Sequence, residues 1–275
     1  MALCHMLLVH YGAEPAAKDI PEARNYAQRA LEIDPLNADA MSHLGAVHFF
    51  YDWDVEKAGK LAHAALQIKP NLEMALILAA DVNLVNGHYE KSQAQVDQAI
   101  AIDPLNVGVL MNAGDILILQ RRYGEAIKCL RQALELESRF RPVCLRLALA
   151  HALNEEHTKA RGYLGEALAL GGEDAAYHEY CALIAQRAGD VDKAIESVKL
   201  LREMVNSGQQ VLPWSLARAC VAAGDVESAI TSLKKAFEQH SSSMPFLGQT
   251  PMFDSIRSHP EVQVLLRKIG LPYAV

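Results

Sequence analysis

Eleven histidines and one pair of evenly spaced carboxylates are the residues of this 275-residue chain whose types could do chemistry. Histidine is a common metal ligand and acid–base group, but a site needs several such groups to converge. His43 and His48 stand five apart and do not share a helix face cleanly. His151 and His157 straddle a predicted turn. His178-Glu179 begins like a zinc-protease helix, but Ala182 occupies the place of the required second histidine. His63 is expected where second helices pack, as a hydrogen-bonded core residue and not a ligand. Asp81 and Asp115 lie 34 residues apart. Brought together, two carboxylates split their pKa values and can act as acid and base; a polar contact for a ligand or partner is the preferred reading. No nucleophile elbow, phosphate-binding loop or dinucleotide fingerprint occurs. The sequence is therefore read as non-enzymatic, with no cofactor and no metal.

The elements that position these residues repeat. Ala23, Ala58, Ser92, Ala126, Ala160, Ala194 and Ala229 follow one another at steps of 35, 34, 34, 34, 34 and 35. A second series runs seven residues behind: Ala30, Ala65, Ala99, Ala133, Ala167, Leu201 and Ala236. Each period reads as helix, turn, helix, turn. Val109, Leu110, Ala113, Ile116 and Leu117 give one first helix its apolar spacing, and Gln120-Arg121-Arg122 breaks it. The second helix is predicted from about Tyr123 to Leu136, with Ala126, Ile127, Leu130, Ala133 and Leu134 on one face. One hairpin cannot bury such a face alone, so neighbouring hairpins must cover it. The small residues let helices approach to about 8–10 Å.

The turns carry matching punctuation. Asp34-Pro35-Leu36-Asn37 returns as Asp103-Pro104-Leu105-Asn106, with Lys69-Pro70-Asn71 between them. Proline ends the second helix, and Asn37 and Asn106 are placed to cap the next. Asn86-Gly87, Ala188-Gly189-Asp190 and Ala223-Gly224-Asp225 supply a glycine to stop one helix and, in the last two, an aspartate to start another.

Composition narrows the class. The balance of 26 basic against 33 acidic residues, with no run of three Lys or Arg, disfavours a phosphate backbone as partner, so direct nucleic-acid binding is not expected. Five widely spaced cysteines, Cys4, Cys129, Cys144, Cys181 and Cys220, read as buried small apolar residues in a reducing compartment. The longest apolar run, Met74 to Ala80, is too short to span a bilayer, and the N-terminus lacks a basic n-region. A cytoplasmic location without membrane association is the expectation. The oligomeric state is not set by the sequence.

These features resemble tetratricopeptide repeats. Leu44-Gly45, Ala79-Ala80, Ala113-Gly114 and Leu147-Ala148 match the small site in the first helix, Tyr89 and Tyr123 the aromatic at the turn, and Pro35, Pro70 and Pro104 the closing proline. Ser138, Gly172, Asn206 and Ser241 depart from that proline, and Ser92 and Leu201 from the small residues, so later units are more degenerate. The resemblance implies an all-α, right-handed solenoid of about seven hairpins. The units fall at about 1–36, 37–71, 72–105, 106–139, 140–173, 174–208 and 209–242, followed by a capping segment over 243–275. The first unit is given a longer inner loop around Gly12 to Asp19. Met252, Phe253 and Ile256 look like a short docking segment, and a last helix is expected from about Pro260 to Ile269.

Tyr51-Asp52-Trp53-Asp54 and the tail from Pro251-Met252-Phe253-Asp254 to Pro260, ending in Leu271-Pro272, are similar to the repeat arms of bacterial signalling proteins. In those, a winged-helix, nucleotide-cyclase or Ser/Thr kinase effector precedes the array. Met1 opens almost inside a repeat helix, so the sequence is expected to be a fragment or a stand-alone relative. The resemblance implies protein or peptide binding in a groove lined by first helices. The groove candidates are Met74, Ile77, Leu78, Asp81, Met111, Asn112, Asp115, Leu145, Arg146, Leu149, Glu179, Tyr180, Trp214 and Arg218. Trp214 and Tyr180 stand out because aromatics dominate binding hot spots. The alternative is an enzyme or small-ligand protein with a site inside the superhelix.

Overall fold

The structure, a computed structural model, describes residues 16–271. Among the described residues all regular structure is helical. A helix α1, Ala16–Ile33, precedes six hairpins. These are α2 (Ala38–Val47) with α3 (Val55–Ile68), α4 (Glu73–Val85) with α5 (Tyr89–Ile102), and α6 (Val107–Leu119) with α7 (Tyr123–Leu136). Then come α8 (Arg141–Leu153) with α9 (His157–Gly171), α10 (Ala175–Arg187) with α11 (Val191–Asn206), and α12 (Pro213–Ala222) with α13 (Val226–Glu238). Two 3-10 turns, Met244–Phe246 and Pro251–Ile256, lead to α14, Pro260–Lys268. The inner loop expected around Gly12 to Asp19 is corrected in part: Ala16 to Asp19 already belong to α1. Gly12 to Pro15, Cys4 and the first helix of the first unit lie outside the described residues.

The two helices of a hairpin differ because they meet different surroundings. α6 buries Val109, Leu110, Met111, Ala113, Gly114, Ile116, Leu117 and Ile118, nearly its whole circumference. Its partner α7 buries only the stripe Ala126, Ile127, Leu130 and Ala133 and turns its charges outward. The alanine beat lies at the joints. All seven residues of the first series are completely buried, as are Ala65, Ala99, Ala133, Ala167, Leu201 and Ala236 of the second. Ala30 is half-buried. At Gly114 even a methyl group has no room, since a Cβ there would sit 2.6 Å from Leu130 Cγ.

The hairpin turns share a backbone device that composition does not display. Trp53, Gly87, Arg121, Glu155, Gly189 and Gly224 recur at repeat spacing, and each has left-handed φ, between 57° and 77°. From Gly87 onward the residue after it donates its N–H to a carbonyl near the end of the preceding helix, as from His88 to Asn83 O (2.8 Å) and from Glu156 to His151 O (2.8 Å). That bond closes the helix in a Schellman motif. The next helices then start on caps. Asn37 accepts from Ala40 N (2.9 Å), Asn106 from Val109 N (3.1 Å), Asp190 from Lys193 N (3.1 Å) and Asp225 from Ser228 N (3.1 Å).

The described chain divides into two compact units. The first holds the residues up to Pro104, Gln239–Gln249 and those from Leu265; the second holds Leu105–Glu238 and Thr250–Val264. In the first, Phe246 packs on Phe49 and Phe50, with ring centroids 5.6 and 6.2 Å away. His240 stacks on Tyr51 and Trp53, at 5.0 and 4.8 Å. The Tyr89 hydroxyl donates to Gln249 Oε1 at 3.0 Å. In the second unit, the segment around Phe253 packs on α12.

Candidate functional site

Successive first helices pack on one another within each unit, α2 on α4 in the first and α6, α8, α10 and α12 in turn in the second. Their exposed edges therefore form one face per unit. On the second unit's face, charged residues that the apolar helices have no packing use for are joined in pairs. Arg146 Nε on α8 donates to both Asp115 oxygens on α6, at 2.9 and 2.8 Å, and Nη1 donates to Pro142 O at 3.2 Å. Arg218 Nη1 on α12 lies 2.7 Å from Glu179 Oε1 on α10, with the two side chains only 12% and 5% exposed.

Tyr180 lies amid these pairs. The Arg218 guanidinium sits 5.6 Å from its ring centroid, within cation–π range. Burial pushes the Tyr180 hydroxyl pKa up; Arg146 and Arg218 pull the other way, while Glu179 and Asp115 push with the burial. Arg218 Nε is buried with no hydrogen-bond partner among the described residues. A buried ion pair costs desolvation that its mutual attraction repays only in good geometry, so such pairs are poor stability devices.

The remaining groove candidates are less available. Ile77 and Asp81 are buried in the first unit, with Met74 half-buried beside them on α4. Leu78, Met111, Leu145 and Leu149 are buried in packing, and Asn112 is half-buried. Trp214 is 7% exposed because Phe253 of the tail lies edge-on against it, centroids 5.0 Å apart at 85°. The sequence marked Phe253 as a docking residue; its seat on Trp214 carries no sequence signal.

His151 and His178 are packed into the fold. His151 is buried, stacks on Tyr163 at 5.3 Å and meets Glu156 Oε2 through Nδ1 at 2.5 Å. His178 is buried 3.7 Å from Glu173. The expectation for His63 is corrected: it is exposed on α3, off the stripe Ala58–Ala62–Ala65. Among the described residues no three His, Cys, Asp or Glu side chains gather as a metal site would require. Cys144, Cys181 and Cys220 are buried and Cys129 is half-buried. Burial pushes the Cys220 thiol up to about 11, which keeps it protonated. A concavity of about 440 Å³ lies elsewhere, between α11 and the α12–α13 turn, lined by Ile195, Val198, Arg202 and Asp225 among others. No described helix is long and apolar enough to cross a membrane.

Comparison with known proteins agrees with the hairpin plan. Residues 77–139 match the family model of the tetratricopeptide repeat. The human protein O-mannosyl-transferase TMTC3 is 27% identical over 150 residues, 54% of this chain and 16% of that protein. Human DnaJ homolog subfamily C member 7 is 25% identical over 156 residues, 51% of this chain and 31% of its own length. The chain thus spans under a third of either relative. A tetratricopeptide repeat protein from Parabacteroides merdae superposes with a TM-score of 0.62 at 16% identity, covering 90% of this chain and 95% of that one. The fold is that of tetratricopeptide-repeat proteins.

Proposed function

We propose that this chain binds a protein partner through its first-helix face, as a sensing or docking arm in bacterial signalling or transcription regulation. The contact residues in this reading are Asp115, Arg146, Tyr180 and Arg218, with Glu179 buried behind Arg218 and Asn112 at the margin. The observation that carries it is the pair of ion pairs around Tyr180. Four charges stand midway along mostly apolar helices, the Glu179–Arg218 pair at a cost in desolvation, and a recognition surface is a reason to keep them. Preformed helices also remove most of the ordering cost on the receptor side. The signalling role is supported by the similarity of the Tyr51–Asp54 turn and of the tail to repeat arms of bacterial regulators.

The test is a photo-reactive amino acid placed at Asn112 in the source cells, with Lys128 on α7 as the control position. A single adduct at Asn112, absent at Lys128 and reduced at least ten-fold by Arg146→Ala, is the expected result. No adduct, or equal adducts at both positions, would reject the assignment of this face.

A further inference from the structure

The second unit already holds a peptide segment, and its chemistry is legible. Phe253 is completely buried, its ring edge-on to Trp214 of α12. The next residue, Asp254, meets Arg121 Nη2 at 2.7 Å. Arg121 stands at the α6–α7 turn with left-handed φ of 62°, and its Nη1 is tied to Leu119 O at 3.1 Å. The guanidinium is therefore aimed before the carboxylate arrives. Behind Asp254 the segment folds on itself: Arg257 Nη2 reaches both Asp254 and Thr250 O, the latter at 3.3 Å.

We propose that this seat recognises an aromatic residue followed directly by an acidic one, and that Thr250–Arg257 is a built-in mimic of the partner segment. Resting on the protein-binding reading above, this names the class of partner: a peptide presenting a Phe-Asp-like step from a 3-10 turn. Two observations support a replaceable occupant. The segment is a 3-10 turn, anchored on its seat by side chains and not by a backbone ladder. Its ion pair is open to water, with Arg121 and Asp254 side chains 39% and 45% exposed. Emptying the seat exposes a buried aromatic pocket, whereas exchanging one Phe-Asp step for another restores both contacts.

The experiment uses the full chain and a fluorescein-labelled peptide of the sequence Thr250 to His259, followed by anisotropy. The double variant Phe253→Ala, Asp254→Ala removes both contacts with the seat. It is expected to bind the peptide at least ten-fold tighter than the unaltered chain does. Adding Arg121→Ala, or scrambling the peptide, should remove that gain. An emptied variant that keeps its helical circular dichroism yet binds no tighter, or takes the scrambled peptide equally well, overturns the proposal. If the emptied variant does not fold, hydrogen exchange of the unaltered chain decides. The Phe253 amide exchanging at least ten-fold faster than the α12 amides supports a displaceable segment; equal rates overturn it. An Asn112 adduct that persists beside a failed peptide test removes the mimic and leaves the protein-binding reading intact.

Discussion

Arg141 grips Asp174 through two nitrogen–oxygen contacts, each 2.7 Å. Its other N–H groups reach the end of α9, Nε donating to Ala167 O at 3.0 Å and Nη2 to Gly172 O at 3.2 Å. One guanidinium at the start of α8 thus fastens the end of α9 to the start of α10, where Asp174 caps Tyr177 N at 2.8 Å. This is the unit whose closing proline is replaced by Gly172, with φ of 73°. A forked donor here does the work of helix termination that proline does by lacking one.

Arg141→Ala should therefore destabilise the protein by about 1–2 kcal/mol, the range for a charged hydrogen-bond network discounted because the Asp174 side chain is half-exposed. Arg141→Lys keeps the charge but not the fork, and should recover less than half of the loss. Urea midpoints measure both. A midpoint for Arg141→Ala equal to that of the unaltered chain would mean that α9 ends for another reason.

The left-handed turn residues give a prediction of opposite sign. Glu155 is exposed, lacks the freedom of glycine, and holds φ of 62° where other turns use Gly87, Gly189 and Gly224. Glu155→Gly should stabilise by about 0.5–1 kcal/mol, because relief of left-handed strain outweighs the added freedom of the unfolded chain. Gly189→Ala should do the reverse, costing about 1 kcal/mol. Paired denaturation curves check this, and two shifts of the same sign would contradict it.

Gly114 tests the packing joint. Alanine is the better helix former by about 1 kcal/mol. Yet its methyl would fall 2.6 Å from Leu130 Cγ and 2.7 Å from Cδ2, and Leu130 is completely buried. Overpacking of about 1–3 kcal/mol should win, so Gly114→Ala lowers the urea midpoint. Adding Leu130→Val should recover part of that loss. A rise in midpoint for the single variant would show that Leu130 moves aside freely.

Periodic and local features were readable before any coordinates, and long-range pairings were not. The alanine beat, the Asn37 and Asn106 caps and the Tyr123–Leu136 helix rest on one element or on repetition. Arg121 and Glu155 gave no hint of left-handed backbone, because the usual sign of it is glycine. His63 was misplaced by one step around α3, since a small shift in helical phase moves a side chain from joint to solvent. The sequence put Asp115 and Arg146 on one face but not in one ion pair, which needs their rotamers. Nothing in Trp214 or Phe253 alone announces that one covers the other.

Acid should unfold the protein over a definable window. Lys159 and then His151 hold the Glu156 carboxyl at about 2, well below its ordinary value. Asp174 and Asp52 also lie below theirs; burial opposes this, but Arg141 and the Tyr177 amide hold Asp174 down, as Arg24 and His48 do Asp52. A carboxylate whose folded pKa is depressed contributes its full stability above the unfolded value, and loses it as pH falls through the folded one. The urea midpoint should thus be insensitive to these groups from pH 7 to about 5 and fall from about 4.5 toward 2. Glu156→Gln should flatten the lower part of that fall. A midpoint that holds steady down to pH 3 would deny these groups their role.

The pair Asp115–Arg146 can be asked whether it serves the fold or the partner. Arg146→Asp sets two carboxylates together and should weaken both stability and the Asn112 adduct. Combining it with Asp115→Arg restores an ion pair of reversed direction between α6 and α8. That double swap should bring the urea midpoint back toward the starting value, since attraction between the two positions is regained. It should not restore the adduct, because the partner meets each charge in the wrong place, and opposed like charges penalise binding strongly. Recovery of stability and adduct together would make the pair a structural brace and nothing more.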